Sequence, residues 1–348
     1  LVGSEMCIRD RLRAGVQYVL FNLIGSTLFL FALGSIYAET GTLNMADLAN
    51  RVTLIGPEET VGIRVAAVLL LLVFEIKAAL VPLHFWLPSS YAEAPAPVAA
   101  LFAIMTKVGA YAIIRVYTMI FPPELEVTSG LHDLWLLPAA LVSLAIGMVG
   151  VLAARQLDRL VAFSIIGSMG MVMVSIALFS PAGIAAALYY IVHSTFAGAA
   201  LFLISDLVRS GRADLNLTLQ APVAGAALTA GLFFAGAIAM AGLPPLSGFL
   251  GKLLVLDAAY GTNLMIWIWA IVLTSSLISI VGFARAGSIL FWKSGTIEPL
   301  EDTLPRPAAL SYVAVGGLLS LLSAHTVFGG KVHGYTTTMA AQLFATEP

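Results

Sequence analysis

The chain has 348 residues, 60% of them hydrophobic and 10% charged, with a formal net charge of −2. So few charges cannot cover a soluble fold, so composition points to an all-α polytopic membrane protein of an inner or plasma membrane. The near-neutral balance excludes a nucleic-acid partner, and the single cysteine, Cys7, excludes an intrachain disulfide or a multi-cysteine metal site.

The opening, Leu1 to Asp10, matches neither a signal peptide nor a helix cap and resembles a translated adapter, so residues 1–13 are expected to be non-native or poorly ordered. Apolar runs of membrane length follow at 17–37, 61–88, 98–121, 132–154, 159–180, 182–206, 222–260, 264–285 and 307–328. Nine spans are therefore expected. The run 222–260 would be about 58 Å long as one straight helix, against about 30 Å of hydrocarbon. Its middle, Gly242-Leu243-Pro244-Pro245-Leu246-Ser247-Gly248, cannot continue a helix unbroken. A single crossing there places Arg9, Arg11, Arg13, Arg155, Arg159, Arg209, Arg212, Arg285, Lys293 and Arg306 on one side. By the positive-inside rule that side is cytoplasmic, which puts the C-terminus outside. Between the first two spans, Thr42 to Leu48 carries capping residues ahead of a short amphipathic run, expected as a surface helix. Ala94-Pro95-Ala96-Pro97 reads as a stiff connector, and 293–306 as the longest inner loop.

Ionisable residues fall where the bilayer centre should be. Lys77 sits five residues before Pro82, Lys107 is nine residues into its span, His193 is eleven into its own, and Lys252 follows the proline-glycine break. A charge at that depth costs about 2.5–3.5 kcal/mol on insertion scales, so such residues usually line a pathway. Burial favours the neutral amine while a carboxylate or water favours the ammonium, and imidazole titrates near neutrality unaided. Helix axes about 8–10 Å apart require water between most pairs, bridged by hydroxyls such as Thr106, Ser164, Ser168, Tyr189 or Tyr190. Each residue also has a structural reading. Lys77 or Lys252 can pair with a carboxylate, although Glu75 lies two residues from Lys77 and Asp257 five from Lys252, which misses the same-face spacing. His193 can be a bonded bundle histidine, and His84 a relay exit on the inner side. Asp158 and Arg159 lie at a loop edge, where a capping role is the default. Breaks beside Lys77 and Lys252 suggest paired broken helices of an inverted repeat. Enzyme signatures are absent: Ser247 has no nucleophile elbow, and Gly251-Lys252 lacks a phosphate-binding glycine loop.

Ile76 to Pro88, Ala94 to Val98, Thr106 to Tyr111, Val192 to Thr195 and Ala241 to Lys252 together resemble the antiporter-like, proton-conducting subunits of Mrp-type (Pha-type) cation/proton antiporters and respiratory complex I. The likeness covers about residues 14–345 and is nearest to the D subunits of the Mrp type. It implies a fold of fourteen spans with two inverted five-helix repeats, of which nine would be present in an N-terminally truncated chain. Residues 14–121 would then be the remainder of the first repeat and 122–292 the second. Residues 293–348 would hold the inner loop, the last span and an outer tail. The resemblance makes Lys77, Lys107, His193 and Lys252 the proton pathway, with Glu75, His84, Tyr189, Ser164 and Asp257 as further pathway or pairing candidates. A glutamate thought to partner the lysine at the Lys77 position belongs to the missing spans. Ala197 and Gly198 stand where many relatives carry a lysine, and Asp158 replaces another. The implied protein is a transporter subunit of a bacterial inner membrane without cofactor or metal. Its expected partners are other antiporter subunits, H+ with Na+ or K+, and lipid. The alternative is a pumping subunit of complex I or a membrane-bound hydrogenase.

Overall fold

The computed structural model describes residues 2–55, 60–125, 130, 132–212, 214–220, 225–296 and 307–345. The first helix, α1, runs Val2–Thr40, so residues 2–13 continue the first apolar helix. The predicted surface helix follows as α2 (Met45–Leu54). Asn44 caps it by accepting from the Ala46 and Asp47 amides, and Leu48 and Val52 are its buried side. Arg51 ties it back to α1 through the Thr40 carbonyl at 2.7 Å. The same guanidinium meets Asp47 at 3.0 Å and holds that carboxyl below its usual range.

The remaining elements are α3 (Thr60–Ala78), α4 (Trp86–Glu93) and α5 (Ala96–Met119), then a π-helical turn His132–Leu136 leading into α6 (Leu137–Ala153). After them come α7 (Leu157–Ala177), α8 (Pro181–Arg212), α9 (Ala226–Ala241), α10 (Ser247–Ala258), α11 (Met265–Gly287), α12 (Ala309–Val327) and α13 (Gly329–Leu343). Among the described residues, seven helices are long and apolar enough to cross a membrane: Arg11–Thr40, Ala96–Met119, Leu134–Ala153, Leu157–Ala177, Pro181–Arg212, Met265–Trp292 and Ala309–Val327. The two other expected spans fall short for physical reasons. The helix α3 carries Arg64, Glu75 and Lys77 in 19 residues, and the run 222–260 is cut into α9 and α10, of 16 and 12 residues. Residues 297–306 of the expected inner loop, with Arg306, lie outside the described residues.

The most deeply buried helix is α7, apolar on every side as a central helix must be. Its axis approaches α6 closely because glycines face the contact. A Cβ on Gly170 would lie 2.7 Å from the Leu144 Cα, and one on Gly147 would lie 2.5 Å from the Gly167 Cα. At one end of the bundle the loops are strapped together. Leu157 N donates to the Leu215 carbonyl, Leu217 N to the Arg155 carbonyl, and Arg212 to the Thr218 carbonyl. Arg209 pairs with Asp158 at 3.2 Å, and Arg285 reaches the Ala154 carbonyl. The segment before α9 and the end of α11 thus share one arginine-rich end, so α9 and α10 together carry the chain to the other. Asp158, expected at a loop edge to be solvated or to cap, instead pairs with Arg209, while its Oδ1 accepts from the adjacent Arg159 N and no side chain caps α7.

Gly170→Leu should cost about 1–3 kcal/mol by overpacking and lower the unfolding temperature of the detergent-solubilised protein by several degrees. Gly34→Leu, where nothing lies within 4 Å of the added Cβ, should leave that temperature unchanged.

Candidate functional site

The break between α9 and α10 creates a polar centre in an apolar bundle. The last turn of α9 closes at Gly242, whose φ of +72° suits glycine, and its amide donates to the Ile238 and Ala239 carbonyls. No amide of the next turn is in place to bond the Ala241 carbonyl, because the chain passes through Pro244 and Pro245. Lys252 Nζ donates to that carbonyl instead, and to Ser276 Oγ of α11 at 2.8 Å. The carbonyl end of a helix carries partial negative charge and favours a cation there.

The second helix of the break, α10, begins at Ser247, whose hydroxyl lies 2.9 Å from His193 Nδ1 of α8. The other ring nitrogen of His193, Nε2, is buried near the Ala239 carbonyl without a well-formed hydrogen bond, and the Tyr190 hydroxyl, whose ring lies 5.3 Å away, is buried without a partner. A Cβ on Gly248 would stand 2.8 Å from His193 Nε2, so the imidazole fits only because residue 248 has no side chain. From the other side comes Lys107 of α5, 3% exposed, with a single long contact of 3.5 Å to Thr106 Oγ1. His193 is within electrostatic reach of Lys252, Lys107 and His325. The structure therefore brings three of the four expected pathway residues together. A buried polar atom with no partner costs about 1–3 kcal/mol unless water satisfies it, so this cluster is a place that water stabilises.

Lys77 stands apart. The helix α3 ends at Ala78, Ala79 takes φ +54°, and the loose turns to α4 are held by Val81 N on Ser143 Oγ (2.8 Å) and Trp86 Nε1 on the Ile76 carbonyl (3.1 Å). Lys77 Nζ donates to Asn22 Oδ1 of α1 at 2.6 Å. It borders an open groove of about 480 Å³ between α1, α3 and α5, walled by Phe29, Phe74, Met105 and Val108. Among the described residues, no hydrogen bond or ion pair joins it to Lys107, His193 or Lys252. Val81–Pro82 and Pro244–Pro245 are both cis, so the two breaks share that feature.

The other candidates disperse. Glu75 is fully buried but turns to Trp135, whose Nε1 donates to Oε2 at 3.1 Å, while Oε1 has no partner; it does not pair with Lys77. Asp257 is exposed near the end of α10 and makes no ion pair with Lys252, because five residues along a helix carry it off that face. Ser164 spends its hydroxyl on the Val161 carbonyl at 2.7 Å, within its own helix. His84 lies in the turn after α3, half-buried, near the Pro82 carbonyl but with no well-formed hydrogen bond at Nδ1. The Tyr189 ring lies tilted 32° against His325, centroids 4.3 Å apart. Two residues escaped the sequence reading. Asn22 was legible as an amide inside the first apolar run, five residues past Gln17. His325 looked like the margin of the last run, and only packing shows it buried. Among the described residues no three His, Cys, Asp or Glu side chains gather as a metal ligand set.

Gly248→Ala should drive His193 away from Ser247 beyond hydrogen-bonding distance, visible in an experimental structure of the variant. The displaced packing should cost about 1–3 kcal/mol, read as a lowered unfolding temperature.

Comparison with known proteins follows the same lines. Residues 1–279 match the family described as NADH:quinone oxidoreductase/Mrp antiporter, TM. The D subunit of the Na(+)/H(+) antiporter of Bacillus subtilis is 38% identical over 92% of this chain and 65% of its own length. The D subunit of a probable K(+)/H(+) antiporter of Rhizobium meliloti is 33% identical over 96% of this chain and 67% of its own. The chain thus spans about two thirds of the length of these curated relatives. Among solved structures, a chain of the Mrp complex from a Dietzia species superposes with a TM-score of 0.83 at 26% identity, covering 96% of this chain and 68% of that one. A chain of respiratory complex I from Thermus thermophilus gives 0.81 at 26% identity, covering 96% and 70%.

Proposed function

Because this chain belongs to the NADH:quinone oxidoreductase/Mrp antiporter membrane family, we propose that it is the proton-translocating D subunit of a multi-subunit Na+/H+ or K+/H+ antiporter. The observation that carries this reading is the burial of Lys107, His193 and Lys252, with both lysines within electrostatic reach of the imidazole beside the helix break. Amines and an imidazole set in a low-dielectric bundle change protonation when a neighbouring charge or water changes, which is what a proton relay requires. Lys77, bonded to Asn22 beside an open groove, serves the same path from its far end.

In this reading the chain crosses a bacterial inner membrane nine times. The two extra crossings are α3 with its following turn and α9 with α10. The arginine-rich end is cytoplasmic, as the excess of basic residues there favours. Residues 14–121 and 122–292 belong to two inverted repeats, a division supported by the matching helix breaks beside Lys77 and Lys252. The partners are the other subunits of the complex, the transported ions and the lipid.

A complex I-type pumping subunit is the second reading, favoured by the superposition on the Thermus thermophilus chain. In the full-length chain assembled with its partners, Lys77→Ala and Lys252→Ala should each reduce Na+- or K+-dependent proton movement in inverted vesicles at least tenfold, with protein levels unchanged. Full activity in both variants rejects the relay. Proton movement driven by quinone reduction, and insensitive to Na+ and K+, supports the second reading instead.

A further inference from the structure

The last apolar helix does not end where its hydropathy ends. The helix α12 stops at Val327, a single residue, Phe328, turns the backbone at φ −91° and ψ 13°, and α13 begins at once with Gly329. Both helices pack along α8, while α13 lies scarcely at all against α12, so it extends the span rather than folding back on it. Residues 309–343 are therefore a third broken helix, and the expected outer tail is its second half. The break sits beside the relay. A Cβ on Gly329 would lie 3.2 Å from the Tyr189 hydroxyl and 3.2 Å from Leu250 of α10. Tyr189 is about one turn from His193, towards the Pro181 end of α8 and away from the arginine-rich end.

Two histidines flank this break. His325, in the last turn of α12, is buried, its ring tilted 32° against Tyr189 at 4.3 Å and close to the Tyr189 backbone carbonyl, with no well-formed hydrogen bond at Nε2. His333, one turn beyond Gly329, has a buried and unpartnered Nδ1. His325 is also within electrostatic reach of His193. Packing alone would be served by any apolar ring at 325, whereas a buried nitrogen without a well-formed hydrogen bond is a standing cost.

We propose that His325, positioned by Tyr189, is the outward proton exit of the relay, carrying protons from the His193–Lys252 centre to the outer face along α13 by way of His333. The proposal rests on the proton-translocating reading above. A neutral imidazole takes a proton at one ring nitrogen and releases one from the other, so no bond other than N–H forms or breaks. Gly329 packs closely, but nothing lies within 4 Å of where a Cβ on Gly330 would stand, which leaves the break open to water on that side.

The test uses the full-length chain in its complex, in a Cys7→Ser background. His325→Gln keeps polarity and approximate size but neither gains nor loses a proton at neutral pH, and it should lower cation-dependent proton movement at least tenfold at normal assembly. His325→Cys should react with a membrane-impermeant thiol reagent added outside and not with the same reagent added inside. Full transport by His325→Gln overturns the proposal, as does labelling of His325→Cys from inside or from neither side. If His325→Gln fails to assemble, the sidedness of labelling decides. Loss of transport in Lys252→Ala beside full transport in His325→Gln overturns this exit and leaves the relay standing. Full transport in both removes the relay itself.

Discussion

The structure depends on how one amine is held inside an apolar bundle. Lys252 Nζ bonds the Ala241 carbonyl that the break of α9 leaves open, with Ser276 as a second acceptor. An unpaired carbonyl and an unpaired ammonium would each be costly in hydrocarbon; together they offset one another without a carboxylate. An acidic partner would fix the lysine as a permanent cation. A carbonyl and a hydroxyl hold it in place without an opposite charge.

Small residues make this arrangement possible. Gly242 lets the chain turn at positive φ beside the Lys252 side chain, and Gly248 lets the His193 ring approach the first turn of α10. Gly251 gives Tyr189 and Tyr190 room against the same helix. Proline stops the helix and glycine brings polar groups to the opening, so break and site are one construction. The turn after α3 follows a looser form of that plan: Ser143, Trp86 and Asn22 come from other elements to bond the freed Val81 amide, the Ile76 carbonyl (shared with Ala79 N) and Lys77.

The arginine-rich end plays a different part. Arg209, Arg212 and Arg285 bond Asp158 or loop carbonyls, fastening the connections between helices. Those bonds fix the segment before α9 and the end of α11 at a common end and so set the direction in which the broken helix runs. Basic residues that would orient the chain across a bilayer are here also struts of the bundle.

Composition and pattern carried the membrane class, the apolar runs, the breaks near Pro82 and at Pro244-Pro245, and the place of Lys77, Lys107, His193 and Lys252 along their runs. These follow from local chemistry: proline lacks an amide proton at any position, and depth is a count of about 1.5 Å per helical residue. Tertiary structure decided which way each side chain faces. It turned Glu75 to Trp135 instead of Lys77, left Asp257 exposed, bonded Lys77 to Asn22 and buried His325 against Tyr189. It also carried the final span through Phe328 into α13, where hydropathy had marked an end. Azimuth around a helix depends on partners up to 136 residues away, as between Tyr189 and His325; a one-dimensional pattern records depth and leaves direction to packing.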